Sequence, residues 1–71
     1  MDDYRIERTE SAWRVVHPDR GAVGGVVPEG GRFVAMVNEG ENPIVIGSGH
    51  GVRDAVAQVI WYDRAMNLEA A

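Results

Sequence analysis

Between Tyr4 and Ile46 apolar residues tend to recur at every second position, and from Val52 onward at every third or fourth; the period changes across Gly47-Ser48-Gly49-His50-Gly51. A period of two marks a pleated strand with one covered face, and a period of 3.6 marks a helix with an apolar stripe. A chain with several segments of the first kind and one of the second has few ways to bury them. The simplest is an antiparallel sheet with the helix laid across one face.

Turn signals cut the alternating region into strands. Tyr4, Ile6 and Arg8 alternate with Arg5, Glu7 and Thr9, which predicts a strand over 4–9, and Thr9-Glu10-Ser11-Ala12 reads as a turn. Trp13, Val15 and His17 alternate with Arg14 and Val16 over 13–17, ending at Pro18-Asp19-Arg20-Gly21, whose order suits a type I turn. Residues 22–27 form a third strand, with Gly24-Gly25 at its centre marking a bulge or a close backbone approach. After Pro28-Glu29-Gly30-Gly31, a strand over 32–37 is apolar on both faces and belongs near the middle of the sheet. A turn over Asn38–Asn42 leads to a last strand over 43–47, where Pro43 is tolerated at a strand start or an edge.

Val52, Ala55, Val56, Val59 and Ile60 define one face of a helix over 51–67. Gly51 serves as a weak N-cap, and Asp54 suits the positive end of the helix dipole. The expected architecture is one α+β domain over 1–71, an antiparallel meander of four to five strands packed by a single C-terminal helix.

A chain of 71 residues buries only about 60% of its unfolded surface. Without cysteine it has neither a disulfide nor a thiolate metal site to reinforce it, so its stability rests on packing or on association, and a homodimer is a natural option. Eleven acidic residues against seven basic ones leave a net charge of −4, which disfavours phosphate backbones as partners. Every basic residue is Arg and none is Lys, a bias that fits a GC-rich genome. The acidic start, Met1-Asp2-Asp3-Tyr4-Arg5, is unlike a secretory signal, and no apolar run approaches a membrane span, so a cytoplasmic location is expected.

The glycine cluster raises the question of a phosphate loop. With Gly47 and Gly49 in the first two places of a dinucleotide fingerprint, the third falls on Val52, and Gly51 is one residue out of register. The fingerprint also needs a second parallel strand after the helix, and none follows in this sequence. The other type of phosphate loop requires Lys. The string Val45-Ile46-Gly47-Ser48-Gly49-His50 resembles the opening of flavin-binding oxidoreductases over a short segment but lacks the third glycine. No cofactor is expected, and the glycines read as a hinge that takes positive φ values between sheet and helix.

His17, near a strand end, and His50, in the glycine turn, could meet with Asp19 or Asp54 around a metal, but nothing in their spacing supports it, and no metal is expected. Ser48 would be a nucleophile in a Gly-x-Ser-x-Gly elbow, yet Ile46 and His50 occupy the glycine places; it reads as a capping hydroxyl. No catalytic residue is assigned, and the chain is expected not to be an enzyme.

Arg5, Glu7, Arg8, Glu10 and Arg14 mix signs along the first hairpin, as cross-strand ion pairs do. Strands backed by one helix also resemble the arm-binding domains of phage integrases. That resemblance implies a nucleic-acid surface on the sheet, made of Arg5, Arg14 and Arg32 with Tyr4 and Trp13. Those domains are usually basic, and this chain is acidic.

The helix carries a second apolar stripe. Trp61 falls about 180° from Val52, with Ala57, Ala65 and Leu68 about 20° to 40° from it and Arg64 nearby. A large aromatic flanked by small residues and an Arg has the composition of an interface hot spot. The competing expectation is a kink after Ile60 that folds Trp61 or Tyr62 back onto the core, which Asp63, sitting on the core stripe, would favour. The chain is thus expected to be a small protein-interaction module, an inhibitor or regulator encoded by a phage or mobile element. It would bind a protein partner or a second copy through Trp61, Ala57, Arg64, Ala65 and Leu68, with an exposed sheet edge as a further contact.

Overall fold

The computed structural model describes residues 4–39 and 42–70, with Glu39 and residues 68–70 described as backbone only. Five strands, β1 (Arg5–Arg8), β2 (Trp13–His17), β3 (Gly21–Glu29), β4 (Arg32–Glu39) and β5 (Asn42–Gly49), precede one helix, α1 (Val52–Ala70). The strands pair in the order β1-β2-β3-β4-β5, each antiparallel to its neighbour, as a five-strand meander. This is the α+β architecture that the change of period predicts. Strands β3, β4 and β5 extend beyond their predicted bounds, and β4 lies one place in from the edge, with β3 central.

Each turn has a local cause. Thr9 donates its amide to the Ala12 carbonyl at 2.8 Å, and the Ala12 amide donates to Thr9 Oγ1 at 3.1 Å, closing the first hairpin. After Pro18, the amides of Asp19 and Arg20 donate to Nδ1 of His17 at 3.1 and 3.3 Å, so a buried imidazole caps its own turn. Gly30 and Gly31 both take positive φ, 57° and 80°, as a two-residue type I′ hairpin requires. The predicted turn over Asn38–Asn42 falls partly on residues 40 and 41, outside the described residues.

Two bulges shape the sheet. Val15 pairs with Gly24 and Val16 with Ala22, leaving Val23 as an extra residue in β3; Ala35 pairs with Gly47 and Met36 with Val45, leaving Ile46 extra in β5. An extra residue reverses the alternation that follows it. Val23 and Val26, three apart, therefore both face the core, and Ile46 turns inward to pack beside it. That core is small and mostly valine: Val15, Val23, Val26, Ala35 and Val37 from the sheet meet Ala55, Val56 and Val59 from α1. Trp13 and Phe33 close one end, their rings edge-to-face at 5.6 Å. The helix lies over β3, β4 and β5 and barely reaches β2.

The glycine cluster folds differently from its predicted role. Gly47 and Gly49 belong to β5, and among the described residues positive φ occurs only at Gly21, Gly30 and Gly31, so the cluster is not a left-handed hinge. Close approach calls for glycine at one of these positions. A Cβ on Gly49 would lie 2.9 Å from Asp54 Cβ, whereas one on Gly47 would meet only the end of the flexible Gln58 side chain, which can swing aside. Gly51 does act as the N-cap, its carbonyl accepting from Ala55 N at 3.2 Å.

Candidate interaction surface

Trp61 is the most exposed large apolar side chain of the described residues, at 73% of its free surface, and α1 runs through it unbroken, without the kink of the competing expectation. Tyr62, next to it, is half-buried and packs against the core. The adjacent pair thus divides the two roles expected of one aromatic: Tyr62 seals the core and Trp61 faces outward. Ala57 and Arg64 are exposed, Ala65 is half-buried, and the Leu68 side chain lies outside the described residues.

Concave apolar surface flanks the indole on both sides. A groove of about 470 Å³ between α1 and β5 is lined by Ile46, Ala57, Gln58, Trp61 and Tyr62. A second, of about 660 Å³, is lined by Ala57, Ile60, Trp61, Arg64 and Ala65. Small side chains one turn before and after the indole open these hollows, because residues four apart lie above one another on a helix face.

Asp63 explains why the helix needs no kink. It sits on the core stripe at 9% exposure, and Arg20 grips its carboxylate with both terminal guanidinium nitrogens, at 2.9 and 2.7 Å. The Tyr4 hydroxyl donates to the same carboxylate, Asn67 Nδ2 donates at 3.3 Å, and Tyr4 meets the His17 ring edge-on at 5.3 Å. The Arg20 hydrogen bonds hold the Asp63 carboxyl below its ordinary range against the opposing effect of burial, with Tyr4 adding to them. Arg20 is held above its own ordinary value, first by the hydrogen bond to Asp63. The cluster ties the start of the sheet and the β2–β3 turn to the far end of the helix, and so fixes the rotation that points Trp61 outward. An acid inside an apolar stripe is the signal that could have found it, by demanding a cationic partner elsewhere.

The other predicted residues separate. His17 is buried with Nδ1 engaged by backbone, whereas His50 is exposed at the sheet–helix junction, and no group of three or more His, Asp or Glu among the described residues could hold a metal. Ser48 does not cap the helix: its hydroxyl accepts from Arg32 at 3.3 Å, and its carbonyl accepts from Gln58 Nε2 at 2.8 Å. No described helix is long and apolar enough to cross a membrane.

The strand register places Arg5, Arg14 and Arg32 on the sheet face away from α1, whereas Tyr4 and Trp13 face the helix side. Glu7 pairs with both Arg5, at 2.8 Å, and Arg14, at 3.3 Å, and Arg8 stacks over Trp13 at 5.4 Å on the opposite side. Charge and stacking groups are therefore on different faces. The centre of the open face is apolar, with Val16, Val27, Val34 and Met36 half-buried and Val45 60% exposed.

Both sheet edges are blunted. β1 is short and reads Arg-Ile-Glu-Arg. β5 begins Asn-Pro, carries the Ile46 bulge, and has its Ser48 carbonyl occupied by Gln58. Charge, proline, bulges and a covering side chain are the means by which edges avoid pairing with other strands.

Comparison with protein-family models, curated proteins and solved structures gives no match.

Proposed function

We propose that this chain is a small non-enzymatic protein-interaction module that docks a protein partner through the outer face of α1, acting in the cytoplasm as an inhibitor or regulator of the kind carried by phages and mobile elements. The observation that supports it is Trp61, 73% exposed between two apolar grooves. Aromatic anchors set among small residues dominate interface energetics. The separation of Arg5, Arg14 and Arg32 from Tyr4 and Trp13 favours a protein partner over nucleic acid on the sheet face.

Trp61→Ala separates binding from folding. Because the indole contributes little to the core, the substitution should change unfolding free energy by no more than about 0.5 kcal/mol, whereas loss of a hot-spot anchor weakens a complex by about 2 kcal/mol or more. Proteins retained from a host lysate on the immobilised wild type should be lost from Trp61→Ala. Equal retention by a folded variant would sink the proposal.

A further inference from the structure

We infer that the sheet face turned away from α1 is a dimer interface, on which two copies of this chain pack face to face into a helix–sheet–sheet–helix stack. The helix covers one face of β3, β4 and β5, yet these strands are apolar on both. Strand register places Val27 beside Val34, and Met36 between Gly25 and Val45, on the uncovered side, with Val16 on the far side of β3. Val16, Val27, Val34 and Met36 are half-buried by their neighbours, and Val45 is 60% exposed. The solvated face of an antiparallel sheet is normally polar, and a contiguous apolar patch marks an interface. The inference is independent of the reading of Trp61, which such a stack leaves facing outward on both sides.

Area, charge and shape point to a second copy as the occupant. Five strands about 4.8 Å apart form a face of roughly 24 by 20 Å, so a pair hides on the order of 1,000 Å², the lower bound for a specific interface. Three arginines, Arg5, Arg14 and Arg32, stand on this face against Glu7 and Glu29, whereas the whole chain carries −4. Packing face to face therefore turns the acidic surfaces away from each other. Over Gly25 lies a hollow of about 250 Å³, lined in part by Arg14, Val27 and Met36. It cannot be filled from within the chain, because a Cβ on Gly25 would lie 2.8 Å from the Trp13 carbonyl oxygen. A two-fold axis crossing the strands level with Val26 and Ala35 sets Val27 of each copy over Gly25 of the other, and Val34 over Met36. An axis one residue along, level with Gly25 and Met36, would set Arg14 against Arg14 and Glu7 against Glu7. Charge thus selects the register in which a valine fills the hollow.

An interface of that size gives a dissociation constant on the order of 10⁻⁵ M, which sedimentation equilibrium between about 1 µM and 1 mM protein reads. The wild type should pass from 7.8 kDa toward twice that mass. Val34→Glu and Met36→Lys, each leaving a charge under the facing sheet, should each weaken the dimer at least about tenfold, and Val45→Glu, at the exposed margin, about threefold. Trp61→Ala should stay within about twofold of wild type, since it lies on the opposite side of the domain. Because Val34 faces Met36 of the copy, an equimolar mixture of Val34→Glu and Met36→Lys should associate at least about threefold more tightly than either variant alone. Thermal unfolding at low concentration shows which variants are folded, and Val45→Glu carries the test if the two central ones are not. A wild type still monomeric at about 1 mM, or a dimer lost in Trp61→Ala and kept in the folded sheet variants, overturns the interface. A mixture no tighter than its components overturns the register.

Discussion

Replacing Asp63 with alanine should destabilise the protein by about 2–3 kcal/mol and lower its melting midpoint by roughly 10–20 °C. Removing one member of a buried ion pair costs about 3–5 kcal/mol because the other is left unpaired; here the Arg20 side chain keeps 38% of its surface in water, which trims the penalty. A domain of this size has only about 4–10 kcal/mol of stability in total. Urea unfolding of Asp63→Ala, Arg20→Met and Asp63→Leu/Arg20→Met tests the mechanism, since removing both charges should recover much of the loss. Additive losses would show that packing, not the orphaned charge, governs the site.

The same carboxylate predicts an acid-sensitive stability. Its folded pKa lies below the ordinary 3.8, so the folded state binds that proton less readily than the unfolded chain does. The stabilisation is complete above the unfolded value and is lost as pH falls through the folded one. Arg20, Tyr4 and His17 surround the group, and protonating it removes the partner that Arg20 requires. Between pH 5 and pH 3, about the range where the unfolded carboxylate titrates, wild-type stability should fall more steeply than that of Asp63→Asn. Parallel curves would contradict the assignment.

Gly24→Ala should cost about 3 kcal/mol or more, the upper end of overpacking effects. A Cβ there would collide with the Met36 carbonyl oxygen while lying 2.7 Å from Val59 Cγ1 and 3.1 Å from Val37 Cα. Pairing with β2 on one side and β4 on the other leaves the backbone no room to retreat. Val59→Ala in the same chain removes only the side-chain half of the clash, so the double variant should regain little; substantial rescue would mean that the Met36 backbone yields.

What was legible in the sequence is what depends on neighbours in the chain. Alternation between Trp13 and His17, the paired Gly30-Gly31 and the stripe from Val52 to Ile60 each specify an element locally, and the meander follows because short turns join adjacent antiparallel strands. Long-range geometry was not legible. The bulge at Val23 depends on how β2 and β3 slide into register, and Gly24-Gly25 hinted only that something unusual occurs there. Asp63 looked like an argument for a kink because its partner, Arg20, stands 43 residues away. The outward face of Trp61 could be read from helical angles alone, but its flanking hollows depend on where α1 sits over Ile46, and Gly49 answers to the approach of Asp54, which no local rule contains.

The blunted edges bear on whether this sheet can grow by addition of strands. A sheet with a free edge can recruit strand after strand, and such growth has no natural end. The proline, the bulge and the glutamine along β5 thus act against open-ended growth of that kind.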